Sequence, residues 1–152
     1  MGLSQEIEKW RKEIQSDRLS MSIGELEGIY ERNEINIHPK FQRVLRWTTS
    51  QKSKLIESIL LRIPLPPIFV AQDSNGTWDV VDGAQRLGTI FEFLGILKDE
   101  RGLVRPPLAL EESTLLPSLA GCSFDTGETK FPLPERLDFR RSRLEAISEL
   151  AA

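Results

Sequence analysis

Asp82, Gly83, Gln85 and Arg86 bring a carboxylate, a glycine, an amide and a guanidinium into one stretch of five positions. Ahead of them, Asp79-Val80-Val81 reads as a buried strand. Behind them, Leu87, Ile90, Phe91, Leu94 and Leu97 recur at helical spacing, so a strand breaks at Asp-Gly and runs at once into a helix. The chemistry that suits such a junction is phosphate binding. Gly83 lets the backbone turn sharply and approach a ligand closely. The helix that starts there directs free N–H groups and a partial positive charge at an anion. Arg86, one turn in, can grip phosphate oxygens through two parallel N–H donors. Asp82 can hold a Mg²⁺ that bridges phosphates, or orient a water. Gln85 can position a nucleophilic water or a phosphate oxygen. A plainer reading stands beside this one, with Asp82 capping the helix and Arg86 in a surface ion pair.

Gln42-Arg43 is a second polar pair, bracketed by Phe41, Val44, Leu45 and Trp47. Arg43 so close to apolar anchors either points inward from a fixed loop or lies over Trp47 in a cation–π contact. Lys40, Arg46 and Glu57 read as solvated side chains, and His38 as an exposed loop histidine.

The elements that must position these residues follow from pattern. Ile7, Trp10 and Ile14 give an amphipathic helix over residues 4–18. A second helix spans 22–32, with Ser22 and Glu25 as its capping box. Ile35-Asn36-Ile37 is a short strand. Thr48 to Gln51 starts a helix that runs to about Leu61, where Pro64-Leu65-Pro66-Pro67 forces extended chain. Ile68 to Ala71 and Thr77 to Val81 are strands joined by a turn at Asn75-Gly76. A helix over 84–97 follows. In residues 103–133, Leu108, Leu110, Leu115, Leu116 and Leu119 suggest short buried pieces. A short helix spans Pro134 to Arg141, and residues 143–148 either extend it or form a last strand. The expected core is Ile37, Leu55, Ile59, Ile68, Val70, Val80, Leu87, Ile90, Phe91 and Leu94. The fold class is α+β, a small mixed sheet flanked by helices, organised as an N-terminal helical arm (1–19) and one domain (20–152).

Composition narrows the function classes. The chain has 152 residues, 39% hydrophobic and 28% charged, with a net charge of −3. With a pI near 5.3, nonspecific nucleic-acid binding driven by bulk charge is not expected. The arginines at 136, 140, 141 and 143 still offer a local basic patch. Cys122 is the only cysteine, so no internal disulfide forms, and it reads as a small buried hydrophobe. One His and one Cys argue against a zinc site. Without a signal peptide or an apolar run near the roughly 20 residues of a membrane span, a cytoplasmic location is expected.

Taken in order, Pro39-Lys40-Phe41-Gln42-Arg43, Trp47, Lys54 to Leu60, Ile63 to Ile68 and Val80-Val81-Asp82-Gly83-Ala84-Gln85-Arg86-Leu87 resemble the N-terminal domain of GmrSD-type modification-dependent restriction proteins. That family carries a D-G-Q-Q-R signature and itself resembles the ParB/sulfiredoxin fold, in which nucleotide phosphates sit on a Gly-x-x-Arg loop. The likeness is clear over residues 20–97 and weaker over 98–152. It implies binding and hydrolysis of a nucleoside triphosphate (NTP) with Mg²⁺, in restriction and anti-phage defence. The NTPase domain usually controls a nuclease, often HNH-type, in the same chain or a partner.

On this likeness Asp82, Gln85 and Arg86 are the catalytic residues and Asp82 is the metal ligand. Gln42, Arg43, Gly83, Ala84 and Arg86 hold the nucleotide. DNA is reached through a partner or through the Arg136–Arg143 cluster. The first glutamine of the signature is Ala84 here, so binding is expected to survive while hydrolysis weakens. The competing reading is a ParB-like DNA-binding or protein-interaction module without hydrolysis. A sulfiredoxin-like redox role is disfavoured, because Gln85 stands in the Gly-x-x-Arg loop and Cys122 lies elsewhere.

Overall fold

Two capping boxes set where two of the helices begin. The Ser22 hydroxyl accepts from the Glu25 N–H at 3.0 Å, and Glu25 Oε1 accepts from the Ser22 N–H at 3.1 Å. Thr48 and Gln51 repeat the exchange at 3.2 and 2.9 Å. Each box satisfies two N–H groups that a helix end leaves orphaned. Thr48→Ala is expected to cost about 1 kcal/mol of stability in a urea titration.

The computed structural model describes residues 2–37 and 46–151. Its helices are α1 (Leu3–Glu13), α2 (Ile23–Glu31), α3 (Thr49–Leu60), α4 (Ala84–Leu94) and α5 (Leu133–Arg141). Its strands are β1 (Ile14–Ser22), β2 (Ile35–Asn36), β3 (Ile68–Gln72), β4 (Trp78–Asp82) and β5 (Arg143–Ala151). They form one mixed sheet in the order β1-β5-β3-β4-β2. The β1/β5 and β3/β4 pairs are antiparallel, while β5/β3 and β4/β2 are parallel. The fold is α+β, as the sequence indicates.

The largest departure lies at the N-terminus. The helix expected over 4–18 stops at Glu13, and Ile14–Ser22 pairs with β5 at nine positions, from Ile14 opposite Ala151 to Ser22 opposite Arg143. Ser16, Asp17, Ser20 and Ser22 are poor helix-interior residues, and a distant strand supplies the hydrogen bonds instead. β1 runs through the 19/20 position expected to divide arm from domain. Leu3, Ile7 and Trp10 on α1 are exposed. The helix expected over 84–97 ends at Leu94, where Gly95 turns left-handed (φ 79°) and Ile96 N–H reaches back to the Phe91 carbonyl at 2.9 Å.

All ten expected core residues are buried. Residues 103–133 cover the helical side of that core. Phe93 on α4 meets Phe124, Phe131 and Phe139 edge-on, with ring centroids 5.5, 5.0 and 5.3 Å away. Leu110 and Cys122 clasp this segment, with Leu110 N–H donating to the Cys122 carbonyl at 2.8 Å. Leu108, Leu110 and Leu119 are buried there, whereas Leu115, expected inside, is exposed. The Lys52–Glu92 ion pair, 2.6 Å long with both side chains 13% exposed, fixes α3 against α4. α4 is thus held from several sides, and its N-terminus is a rigid platform.

Candidate functional site

β4 reaches the platform through a bulge. Phe69 pairs with Asp82 while Val70 pairs with Val80, so Val81 is an extra residue in the ladder. Strand side chains normally alternate between faces. The bulge breaks that alternation, and Val81 and Asp82 are both exposed at the strand's end. Gly83 then takes φ 107°, ψ 10° and starts α4 with no side-chain cap. The first intrahelical bond here runs from the Leu87 N–H to the Gly83 carbonyl at 3.0 Å. Helix geometry therefore leaves the N–H groups of Ala84, Gln85 and Arg86 directed out of the helix end.

These residues line a cleft of about 400 Å³, bounded by Trp47, Val81, Asp82, Gly83, Ala84, Gln85 and Arg86. The Arg86 guanidinium is tethered rather than free. Its Nη2 donates to the Pro67 carbonyl at 3.0 Å, while its buried Nε has no acceptor. A buried donor left without a partner costs about 1–3 kcal/mol, which an oxyanion in the cleft would offset. A Cβ at Gly83 would lie 2.6 Å from Ile68 Cγ2 and 3.1 Å from Arg86 Nη2. Glycine is therefore required twice, for the left-handed turn and for the close approach of Ile68.

Gln85 does something the sequence did not announce. Its Oε1 accepts from the backbone N–H groups of Arg46 at 3.2 Å and Trp47 at 3.3 Å. Ala84 is 4% exposed and packs into the core, so Gln85 is the only side-chain amide among the described residues lining the cleft. Gln42 and Arg43 lie outside the described residues, as does His38. The five expected phosphate-binding or catalytic residues at the junction, Asp82, Gly83, Ala84, Gln85 and Arg86, all reach one cleft. Trp47 and Val81 join them, and the Pro67 carbonyl holds Arg86. Trp47 was legible only as an aromatic neighbour of Arg43, and nothing in the sequence pointed to the Pro67 carbonyl.

Asp82 is a single exposed carboxylate, and among the described residues no three His, Cys, Asp or Glu side chains gather into a metal-holding group. Mg²⁺ commonly takes one or two carboxylates and completes its shell with water and substrate phosphates. The donor set thus fits an ion that arrives with a polyphosphate, not one caged by protein alone. Elsewhere, Cys122 donates to the Ser118 carbonyl at 3.2 Å, and burial raises its thiol pKa. It is a structural thiol. Two of the four clustered arginines have intramolecular partners. Arg140 bonds Glu27 at 3.0 Å and stacks 4.8 Å from the Phe124 ring centroid, and Arg143 donates to the Ser20 carbonyl at 3.0 Å.

No helix among the described residues is long and apolar enough to cross a membrane. Residues 26–149 match the family described as GmrSD restriction endonuclease, N-terminal domain. Comparison with curated proteins and with solved structures gave no match.

Proposed function

This chain belongs to the family of GmrSD restriction endonuclease N-terminal domains, and from that premise we propose that it binds a nucleoside triphosphate with Mg²⁺ and hydrolyses it slowly, as the regulatory domain of a restriction system. The family gives the coarse role, restriction. The observation that carries the finer reading is the uncapped start of α4, with the unsatisfied Arg86 Nε beside it and the Asp82 carboxylate brought to the same cleft by the bulge. Phosphate oxygens would accept from the N–H groups of the first helical turn and from Arg86. Asp82 would hold the ion. When bound, Mg²⁺ neutralises phosphate charge and polarises the phosphoryl group. Trp47 and Val81 offer apolar surface for the nucleoside. The order α3, β3, β4, Gly83-x-x-Arg86, α4 supports a ParB/sulfiredoxin-like layout.

Slow turnover is supported by the two amide positions of the signature. Ala84 has none, and the Gln85 carbonyl oxygen is committed to backbone. With His38 the sole histidine, DNA cleavage of the HNH type would come from a nuclease domain or partner subunit. The chain would report its nucleotide state to that nuclease. The DNA-binding alternative is weakened by the intramolecular partners of Arg140 and Arg143.

Equilibrium binding of each labelled NTP, with and without Mg²⁺, and phosphate release under the same conditions test this reading. We expect saturable, Mg²⁺-dependent binding and turnover well below the ~10 s⁻¹ typical of enzymes. Absence of binding for every NTP, together with steeply salt-dependent binding to duplex DNA, would replace it with the DNA-binding module.

A further inference from the structure

Three successive backbone N–H groups, those of Arg46, Trp47 and Thr48, are each held by a side-chain amide carbonyl. Gln51 Oε1 takes Thr48 at 2.9 Å as part of the α3 capping box. Gln85 Oε1, from a different helix, takes Arg46 and Trp47 together. We propose that Gln85 is a positioning residue, a strap that fastens the segment entering α3 to the first turn of α4 and so fixes Trp47 as a wall of the cleft. This deepens the nucleotide reading above and rests on it for its functional half.

An amide oxygen has two lone pairs. Both are used here, one for each N–H, so this oxygen cannot also orient an attacking water. The Gln85 main chain is itself held, because Thr89 Oγ1 donates to its backbone carbonyl at 2.7 Å within the first turns of α4. At the other end, Trp47 is half-buried and lines the cleft, and α3 is locked to α4 by Lys52 and Glu92. The strap therefore joins two fixed points beside Trp47 on the cleft. It also gives the two amides of the D-G-Q-Q-R signature unequal work. Position 84 tolerates alanine because its Cβ is core, whereas position 85 must keep a carbonyl of the right reach.

The experiment is amide hydrogen exchange at Arg46 and Trp47 in the full chain without nucleotide, paired with the Kd for a labelled NTP, in wild type, Gln85→Ala and Gln85→Glu. Alanine removes the acceptor, while glutamate keeps it at the same reach. We expect Gln85→Ala to speed exchange of these two amides about tenfold and to weaken the NTP by a similar factor. Gln85→Glu should restore their protection. Unchanged exchange in Gln85→Ala would overturn the strap. Faster exchange with an unchanged Kd would overturn its service to the cleft. If wild type binds no NTP, the nucleotide reading fails on its own, and protection lost in Gln85→Ala but kept in Gln85→Glu still supports the strap.

Discussion

Gly83→Ala is expected to destabilise the protein by about 2–5 kcal/mol, the sum of a left-handed backbone penalty and an overpacking cost. At φ 107° a Cβ is strained before any neighbour is considered. The neighbour then makes it worse, since the new carbon would lie 2.6 Å from Ile68 Cγ2. Ile68 is 1% exposed on β3, a strand paired on both sides with β4 and β5, and has nowhere to retreat. Urea denaturation of wild type, Gly83→Ala, Ile68→Ala and the double variant would separate the two costs. Removing the Ile68 branch relieves the clash but not the φ strain, so the double variant should be more stable than additivity predicts by about 1 kcal/mol. Strict additivity would show that the backbone penalty alone acts. The same added carbon would crowd Arg86 Nη2, so the folded fraction should also bind NTP more weakly.

Sequence showed most of what builds this junction and little of what crosses long distances. The two capping boxes, the turn at Asn75-Gly76 and the helical stripe from Leu87 to Leu94 are local devices, written within a few residues of where they act. β1 was not legible because its partner, β5, lies more than a hundred residues away, and the helical spacing of Ile7, Trp10 and Ile14 masked it. Nor was the bulge at Val81 legible, since it depends on how β3 registers against β4 and not on the run Val80-Val81-Asp82 itself. The role of Gln85 was hidden for a related reason. Its acceptor oxygen serves backbone N–H groups at positions 46 and 47, and backbone groups carry no residue-type signal. Likewise the arginines near the C-terminus looked like a basic patch until Arg140 was seen to meet Glu27, 113 positions away. Chemistry-bearing residues in one turn could be read together, while their long-range partners could not.

Arg86→Ala is expected to weaken NTP binding about 10- to 150-fold, the equivalent of the roughly 1.5–3 kcal/mol carried by hydrogen bonds to a charged group. The side chain sits on the platform already oriented, held by the Pro67 carbonyl and passing over Gly83, so little conformational freedom remains to be lost when phosphate binds. Its buried Nε supplies a donor that the protein itself leaves unanswered. Lysine keeps the charge but not the planar fork, and it cannot reproduce the bond to Pro67 and a bidentate phosphate grip at once. Arg86→Lys should therefore recover only a minor part of the affinity. The effect must be distinguished from unfolding, because the substitution also strands the Pro67 carbonyl. Stability measured on the same samples should fall by about 1 kcal/mol, as for one lost hydrogen bond, with the fold intact. A loss of binding matched by a comparable loss of folded protein would assign Arg86 to the scaffold. Binding lost from a folded chain places its guanidinium on the phosphate. Unaltered affinity in a folded Arg86→Ala would remove the nucleotide from this cleft altogether.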